Sequence, residues 1–90
     1  MNKKLDLEAA HKHSSLHRAE ILGSEICGCF YCRKIFAPDK IVEWIDESKD
    51  GVGQTAMCPC CGIDSVIGSA SGFPIASEFL SQMRWHWFLN

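Results

Sequence analysis

Apolar and polar positions along the chain follow two rhythms. Near the C-terminus, Phe79, Leu80, Met83 and Trp87 recur at helical spacing, while Ser81, Gln82, Arg84 and His86 fall largely on the other side. That stripe predicts a helix started by Pro74 or Ser77. Trp85 lies off the stripe. At the other end, residues 5–22 also read as helix. Ser14 and Ser15 can break it or cap a second piece, "LHRAEIL", with Gly23 as its stop. The middle is built from shorter runs. Residues 25–36 combine a cysteine turn with an apolar stretch ending at Phe36. "APDKIVEW" reads as a proline-started helical turn, with Ile41 and Trp44 three apart on one face. "DESKDGVGQ" is a polar turn with two glycines, and "TAMCPCCG" carries a short strand into a second cysteine turn. "IDSVIGSASG" fits strand or turn, and the β-branched Val66 and Ile67 lean toward strand. The pattern predicts a small α+β fold in one domain, 1–90. An N-terminal helical segment (1–24) and a C-terminal helix (71–90) flank a β core (25–70).

Ninety residues bury a thin core. Domains of this size commonly add a metal or disulfides as a staple. The hydrophobic fraction is 47% and the charged fraction 22%, a globular balance. No apolar run approaches the roughly 18 residues of a membrane helix. The opening "MNKKLDLEAAHKHSS" is too polar for a signal peptide, so the expected compartment is the reducing cytoplasm. There, six cysteines argue for metal or redox chemistry rather than disulfides. Net charge is −2, and the basic residues are scattered among acidic ones, without the concentrated positive face that phosphate backbones favour.

The cysteines are the strongest chemical signal. Cys29 and Cys32 form one C-x-x-C; Cys58 and Cys61 form another, with 25 residues (33–57) between the two. Two residues between ligands let a tight turn aim both sulfurs at one point, with backbone N–H groups offsetting their charge. Two such turns make a closed tetrahedral S4 site suited to zinc. An iron site of rubredoxin type has the same ligands. A thioredoxin-like role is weaker, because its βαβ context is missing. Gly62 and Pro59 suit the second turn, and Phe30 and Phe36 can pack beside the site. Cys27 and Cys60 are surplus and read as free thiols, with ligand exchange or redox sensing as the sharper alternative.

Other candidates are less specific. His11, His13 and His17 cluster near the N-terminus. On a continuous helix His13 and His17 would share a face, but no third ligand is identifiable. Surface and capping roles come first for them, ahead of anion binding or a second metal. Glu20 and Asp64 are the carboxylates expected near these elements, and no general acid–base pair emerges. Trp85 can serve as an anchor for a partner.

The segments "AHKHSSLHRAEI", "CGCFYCRKIF", "EWIDE", "TAMCPCCGIDSVIGSASGFPI" and the terminal "WF" together resemble a family of small bacterial cytoplasmic proteins. The likeness runs over nearly the whole chain. It implies a single-domain protein and brings no activity with it. The knuckles also resemble those of zinc ribbons, where the second C-x-x-C sits on a hairpin, and of treble clefs, where it opens a helix. "CFYCRKIFAPDKI" is similar to C2HC-type fingers, but the histidine they need near Trp44 is missing, which sends the site to Cys58 and Cys61. The leading expectation is a zinc-stabilised interaction module without enzymatic activity, binding a protein partner or itself and no membrane. A nucleic-acid-binding ribbon is the runner-up, disfavoured by the acidic balance. A thiol or zinc enzyme comes last, because four cysteines close the metal.

Overall fold

The computed structural model describes residues 6–89. Two short helices, α1 (Leu7–His11) and α2 (Arg18–Leu22), precede β1 (Cys27–Cys29) and β2 (Ile35–Phe36). Then come β3 (Trp44–Glu47), β4 (Gly53–Ala56), β5 (Val66–Gly68) and α3 (Ser77–Arg84). The strands form two antiparallel sheets, one ordered β2-β1-β5 and the other a β3-β4 hairpin. The first sheet is a partition. Successive side chains of a strand point to opposite faces, and here each face has its own core. On one side Ile67 meets Ala10, Phe30, Ile75, Phe79, Leu80 and Met83. On the other, Cys27, Cys29 and Val66 meet Ile21, Ile41, Ala56 and Cys58. Gly28 has no side chain to offer the first face, and α3 uses the space. A Cβ there would lie 2.8 Å from Leu80 Cδ1, so glycine lets the helix rest on bare backbone.

Several expectations change. Over 5–22 the break offered at Ser14 and Ser15 is the outcome: the stretch forms two helices, the second stopped by Gly23 as its C-cap, and its first residue, Leu5, lies outside the described residues. Asp6 caps α1 through a hydrogen bond from the Ala9 N–H (2.9 Å). A 3-10 turn, Lys12–Ser14, follows, and then Leu16 adopts a left-handed conformation (φ 50°). That break removes His13 and His17 from a common helical face. The "APDKIVEW" helix contracts to one 3-10 turn, Pro38–Lys40. Trp44 belongs instead to β3, because the polar "DESKDGVGQ" stretch closes a hairpin with β4 (Trp44↔Ala56, Ile45↔Thr55). Ile41 and Trp44 still pack on the same core. Val66 and Ile67 are strand, as their β-branching favours. The C-terminal helix starts at Ser77, beyond Pro74, and buries Phe79, Leu80 and Met83 as its stripe predicts. The chain then widens into a π-helical turn, Trp85–Leu89. This leaves Trp87 half-exposed, with its indole N–H donating to the Leu7 carbonyl (3.2 Å) and its ring 4.1 Å from that of His11.

No helix among the described residues is long and apolar enough to cross a membrane.

Candidate metal centre

The two C-x-x-C turns are built alike. In each, the first cysteine N–H donates to a carbonyl five residues on: Cys29 to Lys34 (3.0 Å) and Cys58 to Ile63 (2.9 Å). In each, the residue four positions on donates back to the cysteine carbonyl: Arg33 to Cys29 (2.7 Å) and Gly62 to Cys58 (2.9 Å). In each, two amides point at the first sulfur. Tyr31 and Cys32 donate to Cys29 Sγ (3.3 and 3.4 Å), and Cys60 and Cys61 to Cys58 Sγ (3.3 and 3.4 Å). Closing such a turn needs a left-handed residue at the fifth position. Gly62 supplies it (φ 78°) as its sequence position suggested, and Arg33 supplies it in the first turn (φ 67°). Aligning "CFYCRK" with "CPCCGI" would have exposed the Arg33 position; its side chain carries no such signal.

The fold brings the turns face to face. The first lies in the β1–β2 hairpin, and the second connects β4 to β5, which pairs with β1. The second turn therefore runs into a strand, and α3 begins only at Ser77. All four sulfurs, of Cys29, Cys32, Cys58 and Cys61, lie within 4.8 Å of one another. Two pairs across the turns are closer: Cys29–Cys61 at 3.6 Å and Cys32–Cys58 at 3.7 Å. A tetrahedron of sulfurs at about 2.3 Å from a central ion has edges of about 3.8 Å, so the group has the dimensions to hold a metal ion. Cys29 and Cys58 are buried, Cys32 and Cys61 half-buried.

The local electrostatics also suit a cation. Burial pushes the Cys32 thiol up to about 11; the Lys34 N–H opposes this and the neighbouring Cys29 charge adds to it. Burial raises Cys61 further still, helped by its hydrogen bonds with Cys29 and Cys58. At Cys58 burial works in the same direction. The N–H groups of Cys61 and Cys60, with the neighbouring thiols, outweigh it and leave that thiol below its ordinary range. Four thiolates cannot share this space unaided, and a divalent ion removes the conflict. Ser65, buried on the approach to β5, places its hydroxyl 3.0 Å from Cys29 Sγ as a further donor. Nothing in the spacing pointed to it.

Of the surplus cysteines, Cys27 lies on the same face of β1 as Cys29 but outside the sulfur group. It is fully buried, and burial pushes its thiol up to about 11. Cys60 is exposed at the tip of the second turn.

The histidines divide. His17 is buried in a structural clasp. Its Nδ1–H donates to the His13 carbonyl (2.6 Å), and its Nε2 accepts the Ala56 N–H (3.1 Å). Its own N–H donates to the Gln54 carbonyl (2.7 Å), so residues 16–18 line the free edge of β4 two residues before Cys58. Leu16 N–H adds a bond to Thr55 Oγ1 (2.8 Å), itself bonded to Asp46 (2.7 Å). His13 pairs with Glu20 instead (2.9 Å), and the His11 ring lies against that of Trp87, tilted by 38°. Asp64 is exposed.

No protein-family model, curated protein or solved structure matches the chain. The resemblance to a family of small bacterial cytoplasmic proteins therefore gains no support from them, and what stands is the four-cysteine group itself.

Proposed function

We propose that the chain is a zinc-stabilised interaction module, with a ribbon-like core in which Cys29, Cys32, Cys58 and Cys61 hold one structural zinc. The observation that carries this reading is the pair of duplicate turns whose sulfurs converge at tetrahedral spacing. A ribbon rather than a treble clef is supported by the second turn leading into β5. Zinc in small fingers is worth about 10–16 kcal/mol of folding free energy, which suits two cores split by a thin sheet. With four cysteines on the metal no coordination position is left for a substrate, so the metal is structural and the module is not an enzyme. The exposed indole of Trp85, at the end of α3, is the anchor for a protein partner or a second copy.

The test is metal analysis of protein purified without chelators. One zinc per chain supports the reading, and neither zinc nor iron at that stoichiometry sinks it. A colourless sample separates zinc from an iron tetrathiolate. Cobalt substitution should give the intense charge-transfer bands of a tetrahedral thiolate site, reduced when any one of the four cysteines is changed to serine.

A further inference from the structure

The metal centre leaves unused the most basic stretch of the chain. Residues 9–19 contain Lys12, Arg18 and three histidines but no carboxylate, within a chain of net charge −2. The break at Leu16 wraps this stretch around a cleft of about 320 Å³, bounded across from α2 by Gln54 of β4. That is the lower end of the size range of small-molecule sites.

Two of its groups are held in place. The Arg18 guanidinium donates to the Gly53 carbonyl (2.9 Å) and lies 4.5 Å over the Trp44 ring. Those contacts keep it from swinging freely into solvent, and a planar guanidinium has further N–H groups to offer. The His13 ring is oriented by Glu20, whose two oxygens lie 2.9 and 3.1 Å from Nδ1. Its Nε2 has no hydrogen bond among the described residues. Glu20, the one carboxylate of the cleft wall, is therefore already engaged. Lys12 and Ser15 add an exposed ammonium and a hydroxyl. His17 contributes no positive charge, because its Nε2 is committed as an acceptor to Ala56. The groups left free in the cleft are thus mainly donors and cations, two of them fixed before any ligand arrives, which lowers the ordering cost of binding.

We propose that this cleft binds a small oxyanion of the phosphate class. Arg18 supplies N–H donors and Lys12 a point charge. His13 Nε2 meets a third oxygen, accepting from a P–OH. The cleft is too small for an extended polyanion such as nucleic acid. This site is independent of the metal reading.

The experiment is an amide-shift titration of the full chain with sodium phosphate, at constant ionic strength of about 0.15 M. A second arm uses phenyl phosphate. Saturable shifts confined to residues 12–20 and 53–54 are expected. The Lys12→Gln/His13→Gln double variant should bind at least about tenfold more weakly, with its metal content and remaining amide spectrum unchanged. Arg18→Lys, which keeps the charge but loses the planar fork, should weaken binding as well. Tighter binding of phenyl phosphate assigns a phosphomonoester; equal or weaker binding assigns the free ion. Shifts that do not saturate, or the same affinity in the double variant, overturn the proposal.

Discussion

His17 shows how one buried ring can hold two elements together. Both ring nitrogens are used, one against the 3-10 turn and one against β4. Replacing it with alanine leaves the Ala56 N–H unpaired in the interior and frees the half-buried His13 carbonyl, which should cost about 2 kcal/mol. Burial also lowers the His17 pKa from its ordinary 6.5, against the smaller raising effects of the His13 carbonyl bond and Glu20. The unfolded chain therefore takes up the proton first as pH falls. Stability from this residue is complete above pH 6.5 and is lost as the pH drops from there toward the lowered folded value. Urea midpoints measured from about pH 7.5 down to about pH 5.5 should fall more steeply in the wild type than in His17→Gln, with metal kept saturating in both. Parallel slopes would remove His17 from the account. The fifth position of each cysteine turn gives a second residue-scale prediction. Gly62→Ala meets no atom within 4 Å but forces a side chain into left-handed backbone, and should lose about 1 kcal/mol in a thermal or chemical melt. Arg33→Gly relieves the same strain in the first turn and should leave stability equal or higher by up to about 1 kcal/mol.

At the scale of elements, the cysteine turns were legible because their chemistry is local. Two residues between ligands dictate the turn, and the turn dictates where the amides point. The short helices and the β3-β4 hairpin were not, because their partners are distant in sequence. Nothing near Trp44 says that it will pair with Ala56. Ser14 and Ser15 allow a break in the helix, but nothing in "HSSLHR" says that the segment after the break will lie along β4. Tertiary contacts override helical propensity in both places. Cys27 was likewise invisible as a packing residue. The spacing leaves both as surplus thiols, yet Cys27, on β1, is enclosed by apolar neighbours while Cys60, inside the second C-x-x-C, faces solvent. Melting curves of single serine variants should therefore fall into three levels. Cys29→Ser and Cys58→Ser should lose most of the metal's contribution and fold poorly. Cys27→Ser buries a hydroxyl in an apolar site and should cost about 1–3 kcal/mol. Cys60→Ser should match the wild type. Equal loss in all four variants would refute the ligand assignment.

For the whole molecule, the exposed apolar side chains bear on what it meets. Trp85 is 62% exposed, and Phe88 and Leu89 beyond it are exposed as well. Phe88 still touches the first cysteine turn, with its ring 4.9 Å from Tyr31 and 5.8 Å from Phe30. Arg84 reaches the same turn through the Tyr31 carbonyl and ring. Trp85 is the aromatic of this end with no ring partner among the described residues, so its removal should leave the fold intact. Trp85→Ala is expected to melt within about 0.5 kcal/mol of the wild type while weakening self-association or partner capture, read by light scattering after size exclusion and by pull-down. A wild-type chain that is strictly monomeric and retains nothing removes the interaction reading.

The bare backbone at Gly28 makes the sheet one polypeptide thick between the helix and the sulfurs. On one side of β1 rests Leu80; on the other hang Cys27 and Cys29. A helix displaced by a visitor at its far end has no cushion of side chains at this point to absorb the movement. It presses on the strand that positions a ligand sulfur. A cobalt ion substituted into the four-cysteine group would then serve as a built-in strain gauge, its absorption bands changing when something lands on a tryptophan at the other end of the helix.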